Sequence, residues 1–209
     1  MTKRKPNPQE LFWKKNYAKN YIRKNKTFEQ KKGIEAWKLM LRKTKNVSTI
    51  LECGCNIGRN IGFLEKVLPN AEKSIIEVSL PAFKLVQKSH KLKEAFYGSI
   101  MQYSFKEKFD LVFTMGVLIH IHPNELEKNL KKIYDFSKKY ILIGEYFNRT
   151  PVMLDYQGRK DKLFKMDFGK KFINYFPLRV LDYGFLWGYF YDDAGFDDIT
   201  WWLFEKVKI

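Results

Sequence analysis

One sequence feature restricts the folds open to this chain more than any other: an apolar run that leads directly into a glycine-containing turn. Residues 50–60 read ILECGCNIGRN, so a strand-like run ends in Glu-x-Gly-x-x-x-Gly and a helical segment follows. Glycines at 54 and 58 let the backbone turn sharply and come close to a ligand. A dinucleotide-binding loop would read Gly-x-Gly-x-x-Gly and place a pyrophosphate on the helix N-terminus, but here position 56 is Asn and the turn is wider. The pattern therefore favours a nucleoside-type ligand without phosphate over NAD or FAD.

After residue 48 the sequence alternates between short apolar runs and helical segments. The runs predict strands at 49–53, 74–78, 96–100, 109–114 and 140–145, and the segments between them predict helices at 60–68, 81–90 and 123–137. Such alternation is typical of βαβ units and a parallel sheet. Two further strands, 179–185 and 199–207, have no long helix between them and are expected to pair antiparallel. We therefore predict an α/β, Rossmann-like fold with a seven-stranded, mostly parallel sheet, an antiparallel last strand, and helices on both faces.

The N-terminal segment carries most of the positive charge of the chain. Residues 1–45 contain 15 Lys and Arg against three acidic residues, a net charge of +12 out of +16 for all 209 residues. Apolar residues recur near helical spacing and predict two amphipathic helices separated at Lys26 and Thr27, with Thr27 and Gln30 as a capping box. We predict a basic helical lid or extension at 1–46 and a ligand-binding domain at 47–209. The charge allows a nucleic acid, an anionic small molecule or an acidic membrane surface as partner.

Polar and small residues follow the predicted strands at the sheet edge where open α/β sheets bind ligands. Glu77 stands 23 residues after Gly54, where a carboxylate can accept hydrogen bonds from both ribose hydroxyls. Ser99 and Ile100 follow the third strand and are expected to meet an adenine ring. The alternative is that the glycines form an ordinary turn and that Glu77 is a solvated strand end. The predicted cofactor-binding residues of this domain are Glu52, Gly54, Cys55, Asn56, Gly58, Asn60, Glu77, Ser99, Ile100 and Gly116.

Taken together, these segments resemble class I S-adenosylmethionine-dependent methyltransferases. More narrowly, Leu51–Gly58, Phe109–Pro123 and Glu145–Val152 are similar to the methylases associated with pseudaminic acid biosynthesis. The resemblance implies S-adenosyl-L-methionine as the cofactor. It also implies that the N-terminal segment folds over this cofactor as a lid, with Tyr21 and Asn25 as contacts. Without such a lid, this segment is expected to be a helix whose aromatic residues pack on the sheet edge.

A methyltransferase of this kind must orient an acceptor and exclude water, because the sulfonium already activates the methyl group. His120 is the candidate general base, since a histidine titrates near neutral pH. Glu145 and Tyr146, at the end of the fifth strand, are the other catalytic candidates. His122 should face away from His120 in an extended segment, so no metal site is predicted.

The predicted function is methyl transfer to a small anionic acceptor, a hydroxyl or amino group of a nonulosonic, pseudaminic-type sugar or its nucleotide-activated form. Basic residues of the 145–167 segment, Arg159, Lys162 and Lys165, would suit a carboxylate or phosphate on that acceptor. The first alternative is an RNA (tRNA) methyltransferase that uses the basic N-terminal segment. Lys outnumbers Arg by 32 to 7, which counts against a dedicated nucleic-acid surface. The second alternative is a non-catalytic binding module that kept the cofactor site.

Composition also predicts the cellular setting. The first residues lack the apolar core of a secretory signal, and no stretch approaches 18 uninterrupted apolar residues. The two cysteines, Cys53 and Cys55, are too close for a framework disulfide and too few for a zinc site. We therefore expect a cytoplasmic protein in a reducing compartment, with no membrane partner, and leave its oligomeric state open.

Overall fold

The computed structural model describes residues 5–14, 28–104, 106–156 and 158–207. The strands are β1 (Thr49–Cys53), β2 (Glu72–Glu77), β3 (Glu94–Tyr97), β4 (Phe109–Met115), β5 (Ser137–Glu145), β6 (Val152–Tyr156), β7 (Arg159–Lys165), β8 (Leu178–Leu186) and β9 (Ile199–Lys206). The helices are α1 (Pro8–Lys14), α2 (Gln30–Leu41), α3 (Arg59–Val67), α4 (Leu80–Ser89), α5 (Pro123–Phe136), α6 (Phe168–Tyr175) and α7 (Gly188–Tyr191). Short 3₁₀ turns occupy Ile100–Gln102, Leu118–His120 and Asp192–Ala194.

Seven strands form one sheet in the order β3-β2-β1-β4-β5-β9-β8. The first five of these strands pair in parallel, whereas β9 pairs antiparallel with both β5 and β8. Parallel strands need both faces covered, and every residue of β4 from Phe109 to Thr114 is buried. The predicted seven-stranded, Rossmann-like sheet with an antiparallel last strand is confirmed, including the predicted pairing of the two C-terminal strands.

Helices cover both faces of this sheet. On one face α2 and α3 pack through Trp37 and Phe63, and the Trp37 ring meets Phe113 of β4 edge-on at 4.8 Å between centroids. On the other face α5 presents Leu126, Leu130 and Ile133, spaced by four and three residues as an amphipathic helix requires. No helix among the described residues has the length and apolar character needed to cross a membrane.

One predicted strand has wrong bounds, and one pair of strands was not predicted. The third strand is β3 at Glu94–Tyr97 rather than 96–100, because the chain turns at Gly98, whose N–H donates to the Glu77 carbonyl at 2.9 Å. In the segment after β5, where the sequence pattern predicted no strand, β6 and β7 pair as an antiparallel hairpin. This hairpin packs against the Leu118–His120 turn, and its residue Tyr156 contributes to the site described below.

The N-terminal segment is described only in part. Asn7 and Glu10 form a capping box at the start of α1, with the Asn7 side chain accepting from Glu10 N at 2.8 Å and the Glu10 carboxylate accepting from Asn7 N at 3.0 Å. The predicted contacts Tyr21 and Asn25 lie outside the described residues, as does Thr27. Glu29 caps α2 by accepting a hydrogen bond from Lys31 N. The predicted boundary at residue 46, between an N-terminal lid or extension and the ligand-binding domain, therefore stays a prediction.

Candidate functional site

A cavity of about 270 Å³ lies at the carboxyl ends of β1, β2 and β4. Helix α1, hairpin residue Tyr156 and the 195–199 segment supply further parts of its wall. Ten predicted site residues line it: Gly54, Cys55, Asn56, Asn60, Glu77, Ser99, Ile100, Gly116, His120 and Tyr146. Glu52, Gly58 and Glu145 lie behind this wall rather than on it.

The turn between β1 and α3 has the backbone that its glycines predict. Gly54 has a φ of +81° and Gly58 a φ of +79°, both in the left-handed region that disfavours a β-carbon. A β-carbon on Gly54 would also lie 2.7 Å from Val117 Cγ2, so the turn needs glycine for space as well as for conformation. Asn56 also has a positive φ, of 47°, and its side-chain Oδ1 is buried without a hydrogen-bond partner. An unpaired amide oxygen at a cavity wall is a candidate ligand contact.

Glu77 ends β2 and holds this turn. Its Oε2 accepts from Asn56 N and its Oε1 from Ser79 N, each at 2.7 Å. Burial raises the pKa of Glu77, and the hydrogen bonds from Ser79, Asn56 and Val78 oppose that rise. Each carboxylate oxygen has a second lone pair, so Glu77 can accept further hydrogen bonds from a ligand in the cavity.

Glu52 is buried beneath the same turn. Its Oε1 accepts from Asn60 Nδ2 at 2.7 Å, whereas its Oε2 is buried without a partner. Burial raises the pKa of Glu52 to about 8, although the hydrogen bond from Asn60 and the positive charge of Arg59 lower it. A buried carboxylate with one unsatisfied oxygen is costly, and such groups concentrate at functional sites.

The two predicted adenine contacts, Ser99 and Ile100, both line the cavity. Ser99 caps the turn at Ile100–Gln102: its Oγ accepts from Met101 N, and its own N–H donates to Gln102 Oε1 at 3.0 Å. Its backbone amide is therefore already paired, and the hydroxyl hydrogen remains for a ligand. Gly116, with a φ of +66°, has no atom within 4 Å of the point where a β-carbon would lie, so its backbone borders open cavity space.

His120 is held in one orientation by the hairpin and by α1. Its Nδ1 lies 2.8 Å from the Lys162 carbonyl oxygen, and a carbonyl only accepts, so Nδ1 carries the proton and Nε2 keeps a lone pair. Trp13 meets the imidazole at 4.7 Å between ring centroids and Tyr156 at 5.0 Å. Burial lowers the pKa of His120 to about 4, with a smaller opposing effect from the Lys162 carbonyl. The ring is therefore neutral at physiological pH.

Glu145 and Tyr146 take different positions although they are neighbours. The fully buried Glu145 carboxylate accepts from Thr114 Oγ1 at 2.9 Å and from the backbone N–H groups of Val117 and Ile119 at 3.2 and 3.3 Å. Burial raises the pKa of Glu145 to about 7 against these hydrogen bonds. Glu145 thus anchors the segment that carries His120, while Tyr146 lines the cavity and donates to Asp197 Oδ2 at 2.9 Å. A direct catalytic role for Glu145 stays a prediction.

Sequence reasoning missed several cavity residues. Arg59 lines the wall, and its Nε is buried without a hydrogen-bond partner. Glu10 and Asp197 also line it, so the described wall contains three carboxylates, with Glu77, against one arginine. The Asn-Pro-x-Glu pattern that starts α1 was a usable signal for that helix. No local pattern in residues 188–199 places Asp197 beside Tyr146, because that contact depends on how β9 pairs with β5.

Comparison with known proteins supports this architecture. Residues 50–139 match the family model described as "Methyltransferase domain", and no curated protein matches the chain. The matched residues include the glycine turn and Glu77, so this part of the chain is similar to a methyltransferase domain.

Solved structures extend the likeness to most of the chain. The N-methyltransferase NodS from Bradyrhizobium japonicum WM9 is 19% identical with a TM-score of 0.64, over 87% of this chain and 97% of that one. The 1,6-didemethyltoxoflavin-N1-methyltransferase of Burkholderia thailandensis, with bound S-adenosylhomocysteine, is 12% identical with a TM-score of 0.70, over 100% and 94%. An S-adenosylmethionine-dependent methyltransferase from Clostridium acetobutylicum ATCC 824 is 12% identical with a TM-score of 0.64, over 92% and 98%. The predicted class I methyltransferase fold is confirmed, and the narrower resemblance to pseudaminic acid-associated methylases stays a prediction.

Proposed function

We propose that this protein transfers a methyl group from S-adenosylmethionine to a hydroxyl or amino group of a small acceptor. The observation that carries the proposal is the charge of the cavity. Three carboxylates and one arginine among its described lining residues suit a cationic nucleoside and disfavour the pyrophosphate of a dinucleotide.

The side chains of the wall fit the parts of that cofactor. Glu77 would accept hydrogen bonds from the ribose hydroxyls, and Ser99 and Ile100 would border the adenine. Arg59, whose buried Nε has no partner, would pair with the cofactor carboxylate, and the Oδ1 of Asn56 would accept from its ammonium group. When bound, the cofactor supplies a methyl group already activated by a sulfonium, so the chain needs no covalent intermediate.

The acceptor side of the cavity is built from His120, Tyr146 and Asp197. His120 Nε2 is an acceptor whose tautomer is fixed by the Lys162 carbonyl, so it can orient a hydroxyl or amine through a hydrogen bond. A ring with a pKa of about 4 is a weak base. His120 therefore mainly orients the acceptor. It takes the acceptor's proton only as the acceptor atom bonds to the methyl group, because that atom then becomes strongly acidic. Trp13 and Tyr156 keep water from that face of the ring.

The narrower proposal for the acceptor is a nonulosonic, pseudaminic-type sugar or its nucleotide-activated form, which rests on the sequence resemblance. The site itself supports a sugar acceptor. The carboxylates of Glu10 and Asp197 line the cavity and can accept hydrogen bonds from sugar hydroxyls. A cavity bordered by α1 and the hairpin also suits a small molecule better than an RNA strand.

The proposal is tested by incubating the protein with methyl-labelled cofactor and separate pools of sugar nucleotides, free sugar acids and tRNA. We expect label in a sugar pool. His120→Asn should lower the rate by about 100-fold, whereas His120→Gln, whose amide oxygen can replace the Nε2 acceptor, should recover part of it. Transfer to tRNA alone would assign the protein to RNA methylation. Cofactor binding without transfer to any pool would support a non-catalytic binding module.

A further inference from the structure

One polar side chain on the cavity wall belongs to an otherwise apolar helix face. Asn129 is 6% exposed and lines the cavity, on the face of α5 that also carries Leu126, Leu130 and Ile133. A polar side chain buried among such residues lowers stability unless its polar atoms have hydrogen-bond partners. The partners of Asn129 therefore indicate what this part of the cavity holds.

The amide of Asn129 is oriented by its own helix. Its Nδ2 donates to the Glu125 carbonyl, one turn earlier in α5, at 2.8 Å. A carbonyl only accepts, so this bond fixes which end of the amide is the nitrogen. Among the described residues, Oδ1 accepts no hydrogen bond, and it is not one of the unpaired side-chain atoms that are sealed in the core. Oδ1 is thus an acceptor available to a ligand in the cavity.

The surroundings of Asn129 are those predicted for the adenine ring. α5 packs against the Ile100–Gln102 turn, and the apolar side chains of Ile100 and Ile119 line the cavity together with Asn129. Apolar walls of this kind suit the faces of a purine. Ser99, which caps that turn, lines the same cavity and keeps a hydroxyl hydrogen to donate. This part of the wall therefore offers one acceptor, Asn129 Oδ1, and one donor, the Ser99 hydroxyl.

We propose that Asn129 recognises the N6 amino group of the cofactor's adenine, an inference that rests on the proposed function. The Watson–Crick edge of adenine presents a donor at N6 and an acceptor at N1. The donor matches Asn129 Oδ1, and the acceptor matches the Ser99 hydroxyl. The other donors of the cofactor are assigned elsewhere, the ribose hydroxyls to Glu77 and the ammonium group to Asn56. Hypoxanthine has an oxygen at position 6, which would face Asn129 Oδ1 without a hydrogen, so Asn129 selects an adenosyl over an inosyl group.

The experiment is calorimetric titration of the full chain with S-adenosylhomocysteine and with S-inosylhomocysteine, which has an oxygen in place of the N6 amino group. The wild type should bind the adenosyl compound about 100-fold more tightly, because the inosyl compound leaves a buried acceptor unpaired. Asn129→Leu, of similar volume, should weaken binding of the adenosyl compound by about 10-fold and reduce the preference to below about 10-fold. Asn124→Leu, the same change at an exposed position of α5 outside the cavity wall, is the matched control and should keep the wild-type preference.

Circular dichroism checks that the variants fold. If Asn129→Leu does not fold, Asn129→Ala serves instead, since alanine favours the helix and adds no bulk to the cavity. Equal affinity of the wild type for the two compounds would overturn the role of Asn129, and so would a preference that persists in the folded variant. Both of these results would leave the proposed cofactor in place. Binding of neither compound by the wild type would overturn the role of Asn129 and the proposed cofactor together.

Discussion

Replacing Glu52 by Gln should stabilise this protein at alkaline pH. Burial raises the pKa of Glu52 from 4.5 to about 8, and its Oε2 has no partner. The folded protein thus holds this proton more tightly than the unfolded chain does. The contribution of Glu52 to stability is complete below about pH 4.5 and is lost as the pH rises to about 8. A shift of this size corresponds to about 5 kcal/mol.

Urea denaturation of the wild type and of Glu52→Gln, at about pH 5 and about pH 9, measures this effect. The variant should gain about 4 kcal/mol relative to the wild type between these two conditions, because glutamine has no proton to lose and the unfolded wild-type glutamate is already partly ionised at about pH 5. The control is Glu127→Gln, an exposed carboxylate on α5, which should follow the wild type. Parallel pH dependence of Glu52→Gln and the wild type would refute the reasoning.

Two further predictions concern the turn and the opposite end of the sheet. Gly54→Ala should cost about 1–3 kcal/mol in thermal unfolding and weaken cofactor binding, because Gly54 has a positive φ and its β-carbon would lie 2.7 Å from Val117 Cγ2. Gly116→Ala, with open space at its β-carbon, should cost less. Burial alone would raise the pKa of Asp110, but hydrogen bonds from Ser48, Lys138 and Thr49 outweigh it and lower the pKa to about 2. This carboxylate should therefore stabilise the fold by about 2 kcal/mol above pH 4, and the contribution should be lost as the pH falls to about 2. Acid titration followed by circular dichroism should show this loss in the wild type and not in Asp110→Asn.

The mostly parallel sheet and the nucleotide-type loop were predictable because both follow from local sequence patterns. β1 and β4 are buried on both faces, so their sequences are mainly apolar and do not alternate, with Glu52, Asp110 and Thr114 as the buried polar residues, and the glycines of the turn after β1 have conformations that other residues avoid. The carboxyl ends of parallel strands meet at one edge, which brings Glu77 to the turn at Gly54. This prediction requires no contact between distant residues apart from the pairing of the parallel strands.

The hairpin and the acceptor side could not be predicted in the same way. β6 is exposed along most of its length and β7 begins with charged residues, so neither shows the alternation of a half-buried strand. The orientation of His120 depends on a backbone carbonyl 42 residues later, and backbone groups leave no trace in a sequence pattern. The place of Glu145 at a strand end suggests a catalytic residue, whereas its side chain turns inward to hold the loop.

The most direct measurement of the central claim is calorimetric titration of S-adenosylmethionine into the wild type, Glu77→Ala and the control Glu127→Gln. The wild type and the control should bind with the same affinity. Glu77→Ala should bind about 100-fold more weakly, because two hydrogen bonds to a carboxylate are lost. Equal affinity of Glu77→Ala and the wild type, or no binding by the wild type, would contradict the proposed site.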